Sequence, residues 1–227
     1  TADSDANGAG NLVISAAANS TITTAGNISL IGEDVTLGVG GFVGKVITTG
    51  AGSVTVRADN NDEGLSGVFT IATAGSLVNS ATSVNVTNAY DVNIGGAGIF
   101  ANGGAITIAG VNNNVTISTL VETFTGGDIT ITAGNSVLLD NAASEVRTTG
   151  LGNISITATA GNILETVADA TVDIAGYQIT LSALNGRIGE DTGAPGLDAA
   201  LEIDSRNWIS ATTATANGDI WLAETLG

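Results

Sequence analysis

Catalysis and metal binding draw on a few side-chain types, and this 227-residue chain lacks several of them: it has no His, no Cys and no Met. Ser–His–Asp and Cys–His systems are excluded, as are metals held by imidazole or thiolate. What remains is carboxylate. There are 22 Asp and Glu against 5 Lys and Arg, for a formal net charge of −17. The surplus reads first as a solvated acidic face, and no cofactor is expected beyond a candidate calcium, since Ca²⁺ takes six to eight oxygen ligands. Residues 3–11 read Asp3-Ser4-Asp5-Ala6-Asn7-Gly8-Ala9-Gly10-Asn11. Asp3, Asp5 and Asn7 stand at alternate positions, Asn11 follows, and glycines sit where the backbone must turn. The twelfth position of an EF-hand loop is Ile14 here instead of the bidentate Glu, so the segment is not a full EF-hand. Asp59, Asn61, Asp62 and Glu63 form a second, looser set. The competing reading of both is an Asn/Asp-rich turn in water. The Gly-Gly-x-Gly-x-Asp pattern of calcium β-rolls is absent.

Paired carboxylates also serve glycoside cleavage, which needs two of them about 5 to 9 Å apart. Arg187, Glu190 and Asp191 fall in one polar stretch, with Trp208 further on. Sugar-cleaving grooves also want several basic groups and aromatic platforms, and here there are 5 Lys and Arg, 2 Trp and 2 Tyr. The expectation is that the chain is not an enzyme. Trp221 sits in the middle of Ile220-Trp221-Leu222, the slot that faces outward on a strand, and is the candidate surface contact. The Asn-x-Ser/Thr triplets at Asn27, Asn85, Asn114 and Asn153 are by-products of the strand pattern.

The acidic balance argues against nucleic acid and against an anionic lipid surface, because both bind through Lys and Arg. No apolar run approaches the roughly 18 residues that span a bilayer, so no membrane insertion is expected of this segment. The first residues do not form a basic-then-apolar leader, and the chain reads as a piece of something longer.

The elements that must position these groups announce themselves by repetition. The marker is Gly, a small residue, then apolar–polar–apolar. It recurs as Gly26-Asn27-Ile28-Ser29-Leu30, Gly52-Ser53-Val54-Thr55-Val56, Gly104-Ala105-Ile106-Thr107-Ile108, Gly127-Asp128-Ile129-Thr130-Ile131 and Gly152-Asn153-Ile154-Ser155-Ile156. Successive copies at Gly104, Gly127 and Gly152 lie 23 and 25 residues apart. Each period holds a second triplet, such as Val35-Thr36-Leu37, Val92-Asn93-Ile94, Val115-Thr116-Ile117 or Val172-Asp173-Ile174. A third stretch, such as Val46-Ile47-Thr48 or Val146-Arg147-Thr148, ends just before a Gly. Strand alternation turns the outer two residues of each triplet inward and the middle one toward water. One coil cannot bury those side chains alone, so coils must stack.

The expected fold is an all-β parallel β-helix of about nine coils of roughly 25 residues, one unit over 1–227. Polar insertions are expected near 57–68 and 186–198. Helix periodicity is missing, a sandwich would not need a fixed interval, and propeller blades repeat at a longer one.

Segments such as Gly127-Asp128-Ile129-Thr130-Ile131-Thr132-Ala133-Gly134-Asn135-Ser136-Val137-Leu138-Leu139 and Gly152-Asn153-Ile154-Ser155-Ile156-Thr157-Ala158 resemble the repeats of filamentous-haemagglutinin-like exoproteins, exported by the two-partner secretion or autotransporter routes. The likeness covers roughly residues 10–225. It implies a right-handed β-helix, an extracellular or bacterial cell-surface location, and adhesion or self-association. The expected function is thus a non-enzymatic structural or adhesive shaft, with exposed coil ends favouring end-to-end pairing into fibres. Its partners would be further copies, or a protein or glycan on a host or neighbouring cell. A carbohydrate-active β-helix of lyase or glycosidase type and a subunit of an extracellular filament or sheath are the alternatives.

Overall fold

The computed structural model of the chain describes residues 10–14, 17–59, 66–190, 200–214 and 218–225. Within them every regular element is a β-strand, and every strand pairing is parallel. The chain winds through three faces per turn. The first turn carries β1 (Leu12–Ile14), β2 (Ser20–Thr24) and β3 (Ile28–Ile31), and the second β4 (Val35–Leu37), β5 (Gly44–Thr48) and β6 (Val54–Arg57). The third carries β7 (Val68–Ile71), β8 (Leu77–Ser80) and β9 (Val84–Thr87), and the fourth β10 (Asp91–Ile94), β11 (Gly98–Ala101) and β12 (Ile106–Val111). Then come β13 (Val115–Ile117), β14 (Leu120–Thr123) and β15 (Ile129–Ala133), and β16 (Val137–Leu139), β17 (Glu145–Thr148) and β18 (Ile154–Ala158). In the last turns β19 (Ile163–Glu165) is followed by two long strands, β20 (Ile174–Ala183) and β21 (Leu201–Thr213), each running through the second and third faces, and then by β22 (Leu222–Glu224). The result is a parallel β-solenoid of about eight turns.

Its core is a set of aliphatic columns. On the first face Leu12, Val35, Phe69, Val92, Val115, Val137 and Ile163 stack in register, and Ile188 and Ile220 continue the file as bridges. The second face stacks Ile22, Val46, Val78, Ile99, Val121, Val146, Ile174 and Ile203. The third stacks Ile28, Val54, Val84, Ile106, Ile129, Ile154, Ile179 and Ile209. Most of these side chains are wholly buried. Each Val, Ile or Leu so buried contributes about 1.5–3 kcal/mol relative to exposure. The residue between each inward pair faces out, so Ser29, Thr55, Asn85, Thr107, Thr130, Ser155, Thr180 and Ser210 form a polar file on the third face.

Stacking also explains the glycine marker. A Cβ on Gly52 would lie 2.1 Å from the Gly26 carbonyl oxygen, and one on Gly127 2.1 Å from that of Gly104. At Gly152 the distance to Gly127 O is 2.4 Å. Those neighbours are backbone and cannot rotate away, so these three positions admit only Gly. Just before this corner an inward Thr closes the turn: the hydroxyls of Thr48, Thr123 and Thr148 donate to the carbonyls of Gly52, Gly127 and Gly152 at 2.8, 2.6 and 2.8 Å. The corner before the first face is held by a polar ladder running from turn to turn. Asp91 Oδ1 accepts from Asn114 N, Asn114 Oδ1 from Ser136 N, Ser136 Oγ from Asn162 N, and Asn162 Oδ1 from Arg187 N. Such side chains keep the partly buried corner amides paired.

Of the stretch 57–68, Arg57 belongs to β6 and Val68 to β7. Of 186–198, Ile188 lies within the stack, bridged to Ile163 and Ile220. One triplet sits elsewhere than its pattern suggests. Val172-Asp173-Ile174 looks like a first-face strand with Asp173 outward. Instead β19 fills that face, Ile174 opens β20 on the second, and Asp173 is 2% exposed.

Candidate functional site

The most unusual chemistry in the solenoid begins at the second inward slot of the first face. That file runs Ile14, Leu37, Ile71, Ile94, Ile117, Leu139 and then Glu165. A carboxylate thus ends a column of six aliphatic side chains. After β19 the chain departs through residues 166–172 and returns at Asp173, beside β17. One turn on, Glu202 lies against Asp173: the Asp173 amide donates to the Glu202 carbonyl at 2.9 Å, and the Glu202 amide to Asp173 Oδ2 at 3.0 Å. Glu165, Asp173 and Glu202 are 2%, 2% and 7% exposed, and each offers a carboxylate oxygen within 4.8 Å of the others.

Their electrostatics are one-sided. Burial pushes the Glu165 carboxyl up to about 7, and the charges of Glu202 and Asp169 add to the effect. Burial raises Asp173 as well, with Glu165 and Glu202 acting in the same direction and the Glu202 amide opposing. Glu202 is raised by burial and by Asp169. The ionised groups acting on the three are Asp169 and one another, all negative. Glu165 Oε1 accepts from the Asp169 amide at 3.1 Å, but Glu165 Oε2 and Glu202 Oε2 are buried without a hydrogen-bond partner. Buried carboxylates in such a setting either take up protons or pair with a cation.

A second constellation lies nearby on the outside of the second face. Arg147 Nε reaches Glu122 Oε1 at 2.7 Å and its Nη1 reaches Glu145 Oε2 at 3.1 Å. The hydrogen bond to Glu122 raises the Arg147 pKa, while burial raises that of Glu145 despite the adjacent guanidinium. This is a satisfied ion triplet. Beside it opens a shallow pocket lined by Ala142, Ala143, Ser144, Glu145, Thr171 and Val172.

The residues singled out from sequence fare differently. Asp3, Asp5, Asn7, Asn61, Asp62, Glu63 and Asp191 lie outside the described residues. Asn11 is exposed, and its Oδ1 accepts from the Asp34 amide at 3.3 Å, the first rung of the corner ladder. Asp59 is 1% exposed, and its carbonyl accepts from Arg57 Nε at 3.4 Å. Arg187 and Glu190 pair with each other at 3.1 Å in partly exposed positions. Trp221 is 41% exposed, its amide bonded to the Ile188 carbonyl. Trp208, 43% exposed, stands opposite Gln178. None of the calcium candidates belongs to the buried triplet. Its signal was present as Ile163-Leu164-Glu165, where an acid takes the third place of an apolar–polar–apolar unit.

No protein-family model, no curated protein and no solved structure matches the chain.

Proposed function

We propose that the chain is a non-enzymatic shaft segment of a large bacterial surface protein of the filamentous-haemagglutinin-like kind, exported to the cell exterior, where it spaces or presents adhesive contacts and associates with further copies. The observation that carries this reading is the in-register stacking of inward aliphatic residues on all three faces through successive turns. Such a solenoid is a quasi-one-dimensional object: each turn contacts its neighbours, and length is gained by adding turns. A polar outer surface with a charge of −17 suits a rod surrounded by water. Trp221 and Trp208, each about two-fifths exposed near one end, are the side chains offered to a protein or glycan partner. Glu165, Asp173 and Glu202 lie under the surface, where a polysaccharide chain does not reach.

The test combines two assays on the purified chain. Negative-stain electron microscopy should show thin rods, alone or end to end, and incubation with acidic and neutral polysaccharides should release no shortened products. Binding to cultured cells or a glycan array should fall when Trp221→Ala and Trp208→Ala are combined. Cleavage of a polysaccharide, lost on Glu145→Gln or Glu122→Gln, would replace the shaft reading with a carbohydrate-active one. Closed oligomers of fixed size would contradict it too.

A further inference from the structure

We propose that Glu165, Asp173 and Glu202 form a calcium site that locks the last turns of the solenoid to one another. The proposal rests on three features that meet at one point. The first is the donor set. Three carboxylates without nitrogen or sulfur ligands suit a hard cation, and oxygens bound to one Ca²⁺ at 2.3–2.6 Å are at most about 5 Å apart. The three ligand atoms here lie within 4.8 Å of one another.

The second feature is the pair of orphaned atoms. Glu165 Oε2 and Glu202 Oε2 are buried with no partner, on side chains 2% and 7% exposed. Buried polar atoms are ordinarily satisfied, and an exception asks for an ion or another absent partner. Two further carboxylate atoms are held in place: Glu165 Oε1 by the Asp169 amide and Asp173 Oδ2 by the Glu202 amide. Fixed orientation of the ligands is what a preformed ion site requires.

The third feature is the location. Glu165 ends β19, Asp173 directly precedes β20 and Glu202 lies on β21 one turn further on, so one ion bridges two faces and two successive turns. Segment 166–172 turns back over the cluster, held by the Asp169–Glu165 bond and by the Thr171 amide and hydroxyl donating to Asp169 Oδ1, each at 2.5 Å. Asp169 acts on both Glu165 and Glu202 through its charge, adding to the negative potential that a cation would offset. Thr171 and Val172, on the segment beside the cluster, also line an open surface pocket. The charge of three carboxylates is offset by two, which removes most of the repulsion between them.

This site is distinct from the shaft reading and stands or falls without it. The test uses the whole chain, stripped with EGTA and dialysed, then followed by isothermal titration calorimetry and thermal unfolding on addition of CaCl₂ or MgCl₂. Calcium is expected to bind and raise the midpoint. At about 100-fold excess over its dissociation constant it raises the folded-to-unfolded ratio roughly 100-fold. Magnesium, which demands shorter bonds and gives up water reluctantly, is expected to do less. Glu165→Gln combined with Glu202→Gln should abolish this calcium response. Because Gln keeps the shape and removes like charges, the metal-free variant should be at least as stable as the native chain, which separates loss of the ion from loss of the fold. Asp3→Asn with Asp5→Asn, and Asp59→Asn with Asp62→Asn, should leave the response in place. Should the double Gln variant fail to fold, equilibrium dialysis with radioactive calcium on Asp173→Asn decides, with one ion per chain lost. A native chain indifferent to millimolar calcium, a double variant that responds as the native chain does, or an equal response to magnesium would overturn the calcium assignment.

Discussion

Leu139 and Glu165 occupy the same inward slot of the first face on successive turns, paired in register, the one wholly buried and the other 2% exposed. The backbone treats them alike. Their surroundings do not, because an ionised carboxylate in an aliphatic file is opposed by desolvation whereas Leu is favoured by it. In the absence of a cation, Glu165→Leu should therefore stabilise the chain at pH 8. The expected gain is about 3 kcal/mol, set by the rise of the Glu165 pKa from 4.5 to about 7 at 1.36 kcal/mol per pH unit. Urea denaturation at that pH measures it, and a loss of stability would show that the slot is not aliphatic in character.

The pH response of the chelated chain follows from the same group. A carboxyl whose folded pKa lies above its unfolded value gives stability that is full below the unfolded value and is lost as pH rises through the folded one. For Glu165 that window runs from about 4.5 to about 7. The groups facing it are Asp169 on the connecting segment, Asp173 just before β20 and Glu202 on β21, all acidic, and the latter two shift in the same direction. The metal-free chain should melt higher at pH 5.5 than at pH 8.5, and Glu165→Gln should flatten the difference. A midpoint that rises with pH over this interval would refute the assignment.

The corner glycines give a steric prediction. Gly127→Ala places a methyl 2.1 Å from the Gly104 carbonyl oxygen, so neighbouring turns must separate locally and the chain should lose several kcal/mol. Gly40→Ala meets no atom within 4 Å but has φ +62°, so its cost comes from backbone strain alone, about 1 kcal/mol. Paired thermal melts compare them, and equal effects would argue against tight stacking at the corner.

Core and surface positions of the paired strands β12 and β15 should separate as cleanly. Ile106→Ala and Ile131→Ala remove fully buried side chains and should each cost about 2–5 kcal/mol. Outward Thr107→Ala should stay within about 0.5 kcal/mol. Denaturant midpoints for the three variants provide the check.

How much of this was legible beforehand differs from residue to residue. Ile106-Thr107-Ile108 and Ile129-Thr130-Ile131 declare both their inward faces and their stacking, because the alternation and the spacing repeat together. Gly104, Gly127 and Gly152 mark the corners for a reason now visible: backbone of one turn sits where a Cβ would be. Asp173 was not legible. Its triplet, Val172-Asp173-Ile174, satisfies the alternation rule for an outward acid, and only the arrival of β20 on a different face buries it. Glu202 depends on a partner 29 residues earlier, a relation that local pattern does not carry. Glu165 alone left a trace, as an acid in an aliphatic place.

The solenoid requires neighbouring turns to lie parallel and in register, and the absence of Cys in this chain allows a direct test by disulfide trapping. Thr107 and Thr130 face each other across adjacent turns, at the ~4.8 Å strand spacing that falls within the Cα range a disulfide accepts. Thr107→Cys combined with Thr130→Cys should form an intramolecular bond on mild oxidation, while Thr107→Cys combined with Ser155→Cys, one turn further away, should not. Failure of the first pair to close, or equal closure of both, would contradict the stacked solenoid.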